Sequence, residues 1–187
     1  MELESYIIHH FGIAPTELNA IVQLFHEEKL SKGDFYLKQD GRCDKMSFIK
    51  TGILRVYCTT HDKEVTQWIS TKGSFITELS SLVFETPARW NIQALTDAEI
   101  YTISRENYRA IGQVVPTWHE LEKLFIAKCF GMLEDRVFTH LAMTAEERYE
   151  QFFQNNKQLL QQVPLQYIAS MLGMTPETFS RIRKRSL

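Results

Sequence analysis

Between Lys32 and Ile103 a turn signal interrupts the chain roughly every ten residues, a rhythm that a closed antiparallel sheet accommodates better than other folds do. Lys32-Gly33-Asp34, Gln39-Asp40-Gly41, Lys50-Thr51-Gly52, His61-Asp62-Lys63 and Thr71-Lys72-Gly73 supply the breaks. The runs between them, such as Met46-Ser47-Phe48-Ile49 and Ile53-Leu54-Arg55-Val56-Tyr57-Cys58, are rich in the β-branched and aromatic side chains that suit a pleated, half-buried surface. The spacing predicts a compact antiparallel barrel or jelly roll. With 44% hydrophobic residues among 187, the chain has ample material for a core, which excludes a disordered or low-complexity polymer.

Helical periodicity brackets this segment, so the expected fold class is α+β. The first thirty residues read as helix: Pro15 suits a first turn, and Leu18, Ile21, Val22, Leu24 and Phe25 recur at helical spacing before Lys29 closes the segment. Ser104 is placed to cap a helix over 105–114. A long helix is predicted from Thr117 to about Leu141, with a broad apolar face of Trp118, Leu121, Leu124, Phe125, Met132 and Leu133. At ~25 residues it would span nearly ~40 Å, more than a small barrel covers, so part of that face is expected to pack against a second copy of the chain. Thr144-Ala-Glu-Glu147 is a capping box, and the helix it opens carries Tyr149, Phe152 and Phe153 inward. The connector Ala142-Met143 then divides a domain over 1–141, including the long helix at about 117–141, from a C-terminal domain over 144–187.

Met1-Glu2-Leu3-Glu4 carries acids where a leader would carry positive charge, and no stretch approaches the ~20 apolar residues of a membrane span. Cys43, Cys58 and Cys129 are widely separated and form no CxxC pair. These features lead us to expect a cytoplasmic protein with buried or half-buried reduced thiols and no membrane partner. Six histidines are present, and of these only His61 is expected among the strands, too few for a metal-binding jelly roll. No nucleophile–base pair or phosphate-binding glycine loop stands out, so neither catalysis nor a bound cofactor is expected.

The net charge of −2 hides an asymmetry: residues 1–150 carry a net −6 and residues 151–187 a net +4. A basic end on an acidic body can approach a polyanion while the body stays away from it. Within that end, Leu165–Lys184 reads as two short helices around a tight turn. Ile168, Leu172, Phe179 and Ile182 would hold the pair together, Ala169 is small where the second helix crosses, and Gly173 stands where the first helix ends in a left-handed conformation. Thr175 can cap the second helix, with Pro176 at its first position. This spacing makes a helix-turn-helix. If Phe179 and Ile182 face inward, Glu177, Ser180, Arg181 and Lys184 form one exposed stripe. Arg181 can donate twice to a guanine and Glu177 can accept from a cytosine amino group, while Thr175, Lys184 and Arg185 are suited to phosphates. An i,i+4 ion pair between Glu177 and Arg181 is the competing local use of the same groups.

The whole chain resembles the Crp/Fnr family of bacterial transcription regulators. In the body the resemblance rests on the turns at Gly33, Gly41, Gly52 and Gly73, on Phe48–Tyr57, and on Gly73-Ser-Phe-Ile-Thr-Glu-Leu79. In the tail it rests on Pro-Glu-Thr-Phe-Ser-Arg181. It implies a β-roll of cyclic-nucleotide-binding type, a long dimerisation helix and a C-terminal helix-turn-helix, acting as a homodimer on two-fold-related DNA half-sites. The implied partners are double-stranded DNA, a second copy, RNA polymerase and a small-molecule effector. No β-hairpin wing is expected, since the chain stops at Leu187.

The resemblance also implies where an effector would bind. Cyclic-AMP-binding members place a Gly-Glu pair at a short helix and an Arg-Ser or Arg-Thr pair about ten residues later, so that amides and an arginine neutralise the phosphate while the glutamate takes the ribose hydroxyl. Here Glu78 is in place, but Thr77 replaces the glycine and Ala88 the arginine, with Arg89 displaced by one and Trp90 following. The hydroxyl pair expected from the long helix falls near Gly131-Met132. Glu78, Arg89 and Trp90 remain as candidate effector residues, and tight cyclic-AMP binding is expected to be lost. A ligand-binding or protein-interaction module of the same fold that does not bind DNA is the rival reading.

Overall fold

Most strands form where runs rich in β-branched and aromatic side chains lie between turns, and the computed structural model describes residues 2–185. Met1, Ser186 and Leu187, and with them the expectations about the extreme N-terminus and the missing wing, lie outside the described residues. In chain order the elements are α1 (Glu2–Phe11), α2 (Leu18–Val22), β1 (His26–Leu30), β2 (Phe35–Leu37), β3 (Lys45–Thr51), β4 (Leu54–Thr59), β5 (Glu64–Ser70), β6 (Phe75–Ile76), α3 (Leu79–Phe84), β7 (Asn91–Ala94), β8 (Ala98–Ser104), α4 (Arg105–Val114), α5 (Trp118–Ala142), α6 (Ala145–Asn156), α7 (Leu159–Gln162), α8 (Leu165–Met171) and α9 (Pro176–Arg185). The strands make two four-stranded sheets, ordered β1-β8-β3-β6 and β2-β7-β4-β5. The α+β jelly roll with a long helix is thus the observed architecture.

The N-terminal helix does not run on to Lys29. Gly12 turns the chain at φ +72° after α1, and His26–Leu30 is strand β1, paired antiparallel to β8 from His26↔Thr102 to Leu30↔Ala98. A cross-strand charge rewards this pairing, Lys29 Nζ lying 3.4 Å from Glu99 of β8, and Lys45 of β3 reaches past β8 to bring its Nζ within 2.7 Å of Glu28. His26 therefore also stands in a strand, whereas His61 falls in the turn between β4 and β5. Among the described residues no group of His, Cys, Asp or Glu side chains is placed to hold a metal ion.

The chain packs as two compact units. One comprises the chain up to Val56 with Ser70–Lys128; the other comprises Tyr57–Ile69 with the chain from Cys129 onward. In the first, Tyr36, Leu37, Cys43, Ile49, Leu54, Ile76, Ala88, Ile92, Ala98 and Ile100 form the core between the sheets. Tyr36 is wholly buried yet satisfied, accepting from Ser47 Oγ at 3.1 Å and approaching the carbonyls of Lys45 and Ile76. Gly52, at φ +94°, turns β3 into β4 where a Cβ would stand 2.5 Å from the Asp97 carbonyl. A second aromatic cluster seats the start of α5: Phe11 packs on Trp118 and Phe125 with centroids 4.9 and 4.5 Å apart, and Phe75 meets Phe125 at 5.0 Å.

In the second unit α6 begins with the expected capping box. The Glu147 amide donates to Thr144 Oγ1 at 3.2 Å and the Thr144 amide to Glu147 at 2.7 Å. Tyr149 and Phe152 are buried as expected, while Phe153 is half-buried and stacked on Tyr149. Cys43 is buried, and Cys58 and Cys129 are half-buried; all three are free thiols.

Candidate nucleic-acid interface

Helices α8 and α9 are short and mostly polar outside, so they hold together through a few apolar positions. Ile168, Ala169, Phe179 and Ile182 are all at most 2% exposed, and Phe179 meets the Tyr149 ring of α6 edge-on at 5.4 Å. The turn between them bends at Gly173, with φ +68°. The Leu172 and Met174 amides return to carbonyls of α8, and Thr175 Oγ1 accepts from the Thr178 amide at 3.2 Å, so the first turn of α9 is capped as its sequence predicts.

With Phe179 and Ile182 inside, Glu177, Ser180, Arg181 and Lys184 stand exposed on the opposite side of α9. Thr175 and Arg185 are exposed as well, and Arg185 Nη1 lies 3.9 Å from Glu146, too long for a strong pair. The expected Glu177–Arg181 ion pair does not form among the described residues. Glu177 is held instead at its own helix N-terminus, where its backbone amide and the Thr175 hydroxyl keep its carboxyl below the usual carboxylate range. Arg181 is left free to face solvent.

The candidate effector residues are arranged differently from what the resemblance implies. Glu78 is the N-cap of α3: its Oε2 accepts from the Ser81 amide at 2.6 Å. The protein's own carboxylate thus sits where amides would meet a phosphate. Ala88 is 1% exposed and joins the core, its backbone paired to Gly41 at 2.7 Å and to Asp40 at 2.8 Å. That inward register leaves Arg89 exposed and Trp90 half-buried, and Glu78 is engaged instead with the Ser81 amide. Thr77 bonds the Lys45 carbonyl at 3.0 Å. Two surface clefts lie elsewhere, one lined by Asp44, Ser104, Arg105, Glu106 and Arg109, the other by residues of β1 and the turn before β8.

Along α5, Trp118 and Phe125 are buried, but Ile126, Phe130, Leu133, Val137 and Leu141 are between 40% and 83% exposed. The first four follow one another at intervals of four, three and four residues, a stripe of coiled-coil spacing. Sequence reasoning missed the residues that fasten α8 to its surroundings: Trp68, Arg136, Arg148 and Ser170. A helical arginine bound to a carbonyl of another element looks, in sequence, like any solvated arginine.

Residues 27–113 match the family model of the cyclic nucleotide-binding domain. No curated protein is similar enough in sequence to count as a relative. The structure is similar to the catabolite activator protein of Thermus thermophilus (21% identity, TM-score 0.60), covering 96% of this chain and 85% of that one. It is also similar to FixK2 from Bradyrhizobium japonicum, at 18% identity over 86% of this chain and 83% of that one, with TM-score 0.70. A third similar structure, a Crp/Fnr-family protein from Eubacterium rectale, gives TM-score 0.73 at 16% identity over 97% and 87% of the two chains. The family resemblance read from the sequence therefore holds for the domain over 27–113 and for the fold as a whole. No helix among the described residues is long and apolar enough to cross a membrane.

Proposed function

We propose that this chain, which carries a cyclic nucleotide-binding domain within the fold of the Crp/Fnr regulators, is a cytoplasmic, homodimeric, sequence-specific DNA-binding regulator of transcription. The observation that carries the reading is the exposed stripe on α9: Glu177, Ser180, Arg181 and Lys184 face solvent beside a helix-turn-helix whose apolar positions are all buried. In the major groove Arg181 reads a guanine through its O6 and N7, and Glu177 takes a cytosine amino group. Thr175, Lys184 and Arg185 fix the register on phosphates. The Ile126–Phe130–Leu133–Val137 stripe pairs two copies, which sets two recognition helices on half-sites about one helical turn apart. RNA polymerase is the partner through which such a regulator acts.

The β-roll serves as a scaffold or as the sensor of a small molecule other than tightly bound cyclic AMP, because Glu78 closes α3 and Ala88 stands where an arginine would be needed. A ligand acts on such a protein only through unequal affinity for DNA-competent and incompetent arrangements of the two recognition helices.

Titration of the full chain with duplexes enriched by it from a randomised library tests the reading. Arg181→Ala is expected to abolish the preference for enriched over random duplex and to leave weak, salt-sensitive association. Unchanged affinity in Arg181→Ala overturns its role. Wild-type retention on DNA that does not vary with salt favours a ligand-binding or protein-interaction module instead.

A further inference from the structure

Arg136 carries a largely buried charge that no carboxylate answers among the described residues, and burial alone holds its pKa below the usual arginine value. Its Nη2 donates to the Met171 carbonyl at 2.9 Å, and its guanidinium lies 5.1 Å from the centre of the Trp68 ring on β5. Next to it, Ser170 Oγ accepts from the Thr66 amide of β5 at 2.9 Å. From the other side Arg148 donates through Nε to the Leu172 carbonyl at 2.8 Å and through Nη1 to the Met143 carbonyl at 2.7 Å. Met171 and Leu172 stand at the end of α8, whose last carbonyls have no helical partners and carry the negative end of the helix dipole. Two arginines, one from α5 and one from α6, supply what that end lacks. The Gly173 backbone then passes so close to His140 that a Cβ would stand 3.1 Å from the imidazole. All these groups lie in one compact unit.

We propose that Arg136 is a positioning residue for DNA recognition: by tying the end of α8 to Trp68 of β5 it sets the angle at which α9 is presented, and with it the half-site spacing that a dimer accepts. The inference rests on the DNA-binding reading above and adds to it. A flat guanidinium is required because it donates in its plane while an aromatic ring covers its face; an ammonium does not do both equally well. The β4–β5 turn and β5 up to Ile69 therefore belong to the same compact unit as α8 and α9.

The test compares the half-site spacings that full-length wild type, Arg136→Met and Arg136→Lys enrich from a randomised duplex library, with thermal unfolding as a check on folding. Wild type is expected to enrich one dominant spacing. Arg136→Met is expected to enrich several and to bind the wild-type duplex about tenfold more weakly, the weight of one hydrogen bond from a charged donor. Its weak binding to random duplex at low salt stays unchanged, and Arg136→Lys falls between the two. A purely structural role would reduce active protein without altering the spacing. If Arg136→Met does not fold, Ser170→Ala carries the test, since it removes the Ser170 bonds to β5 and leaves the partners of the buried charge in place. The wild-type spacing and affinity in folded variants overturn the positioning role alone. Failure of wild type to enrich any duplex overturns the DNA-binding reading, and this inference with it.

Discussion

Individual side chains decide several questions here that patterns leave open. Glu78 is the plainest case, since position and charge suggest a ligand group, but its carboxylate caps the helix that follows it. Glutamate is not among the favoured N-cap residues, so no sequence signal separated the two roles. Gly52 is the opposite case, a turn glycine whose requirement was legible. Gly52→Ala is expected to cost at least about 1–2 kcal/mol for the positive φ alone, before the clash with Asp97 and Ala98 is relieved, and so to lower the unfolding temperature by several degrees in a thermal melt. His10 supplies a pH dependence. Its Nε2 donates to the Gly73 carbonyl at 2.9 Å, its ring stacks on Phe48 at 5.3 Å, and burial pushes its pKa below the ordinary 6.5. The unfolded chain takes up this proton at higher pH than the native chain does, so stability present above pH 6.5 is lost as pH falls through the lower native value. Denaturant titrations across that window are expected to show the slope in wild type and its loss in His10→Gln.

At the level of elements, the parts that could be read from sequence are those whose signals are local. The caps at Ser104, Thr144 and Thr175 and the left-handed glycine at 173 all stand where spacing placed them. β1 was not legible, because His26-Glu-Glu-Lys-Leu30 has neither alternation nor β-branched residues; it is a strand only because β8 and Lys45 lie beside it. The fastening of α8 was equally hidden, since it depends on carbonyls that every residue carries. For α5, the exposed Ile126–Val137 stripe is the face we propose pairs two copies. Phe130→Glu with Val137→Glu is expected to leave the monomer folded, because both side chains already face solvent. It should halve the mass seen by light scattering and weaken duplex binding. A dimer of unchanged mass would remove α5 as the interface.

For the molecule as a whole, charge and chemistry are divided along the chain. The net −6 of residues 1–150 and the +4 of residues 151–187 place the attraction for a polyanion at the end that carries α9. The β-roll keeps the shape of a cyclic-nucleotide-binding domain while its phosphate supports are altered: α3 is closed by Glu78, Ala88 is in the core and Arg89 is at the surface. Calorimetric titration with cyclic AMP is therefore expected to give no saturable heat at micromolar ligand. Micromolar saturation would mean that the ligand displaces the Glu78 carboxylate.

The bond between Ser170 and the Thr66 amide bears on solubility too. β5 ends its sheet, and its outward amides are the kind of groups through which sheets of separate molecules zip together. A state with the reading head swung away would bare that margin. Long-lived undocking would then be limited by aggregation, and crowding many undocked copies would favour fibre-like strand addition over redocking.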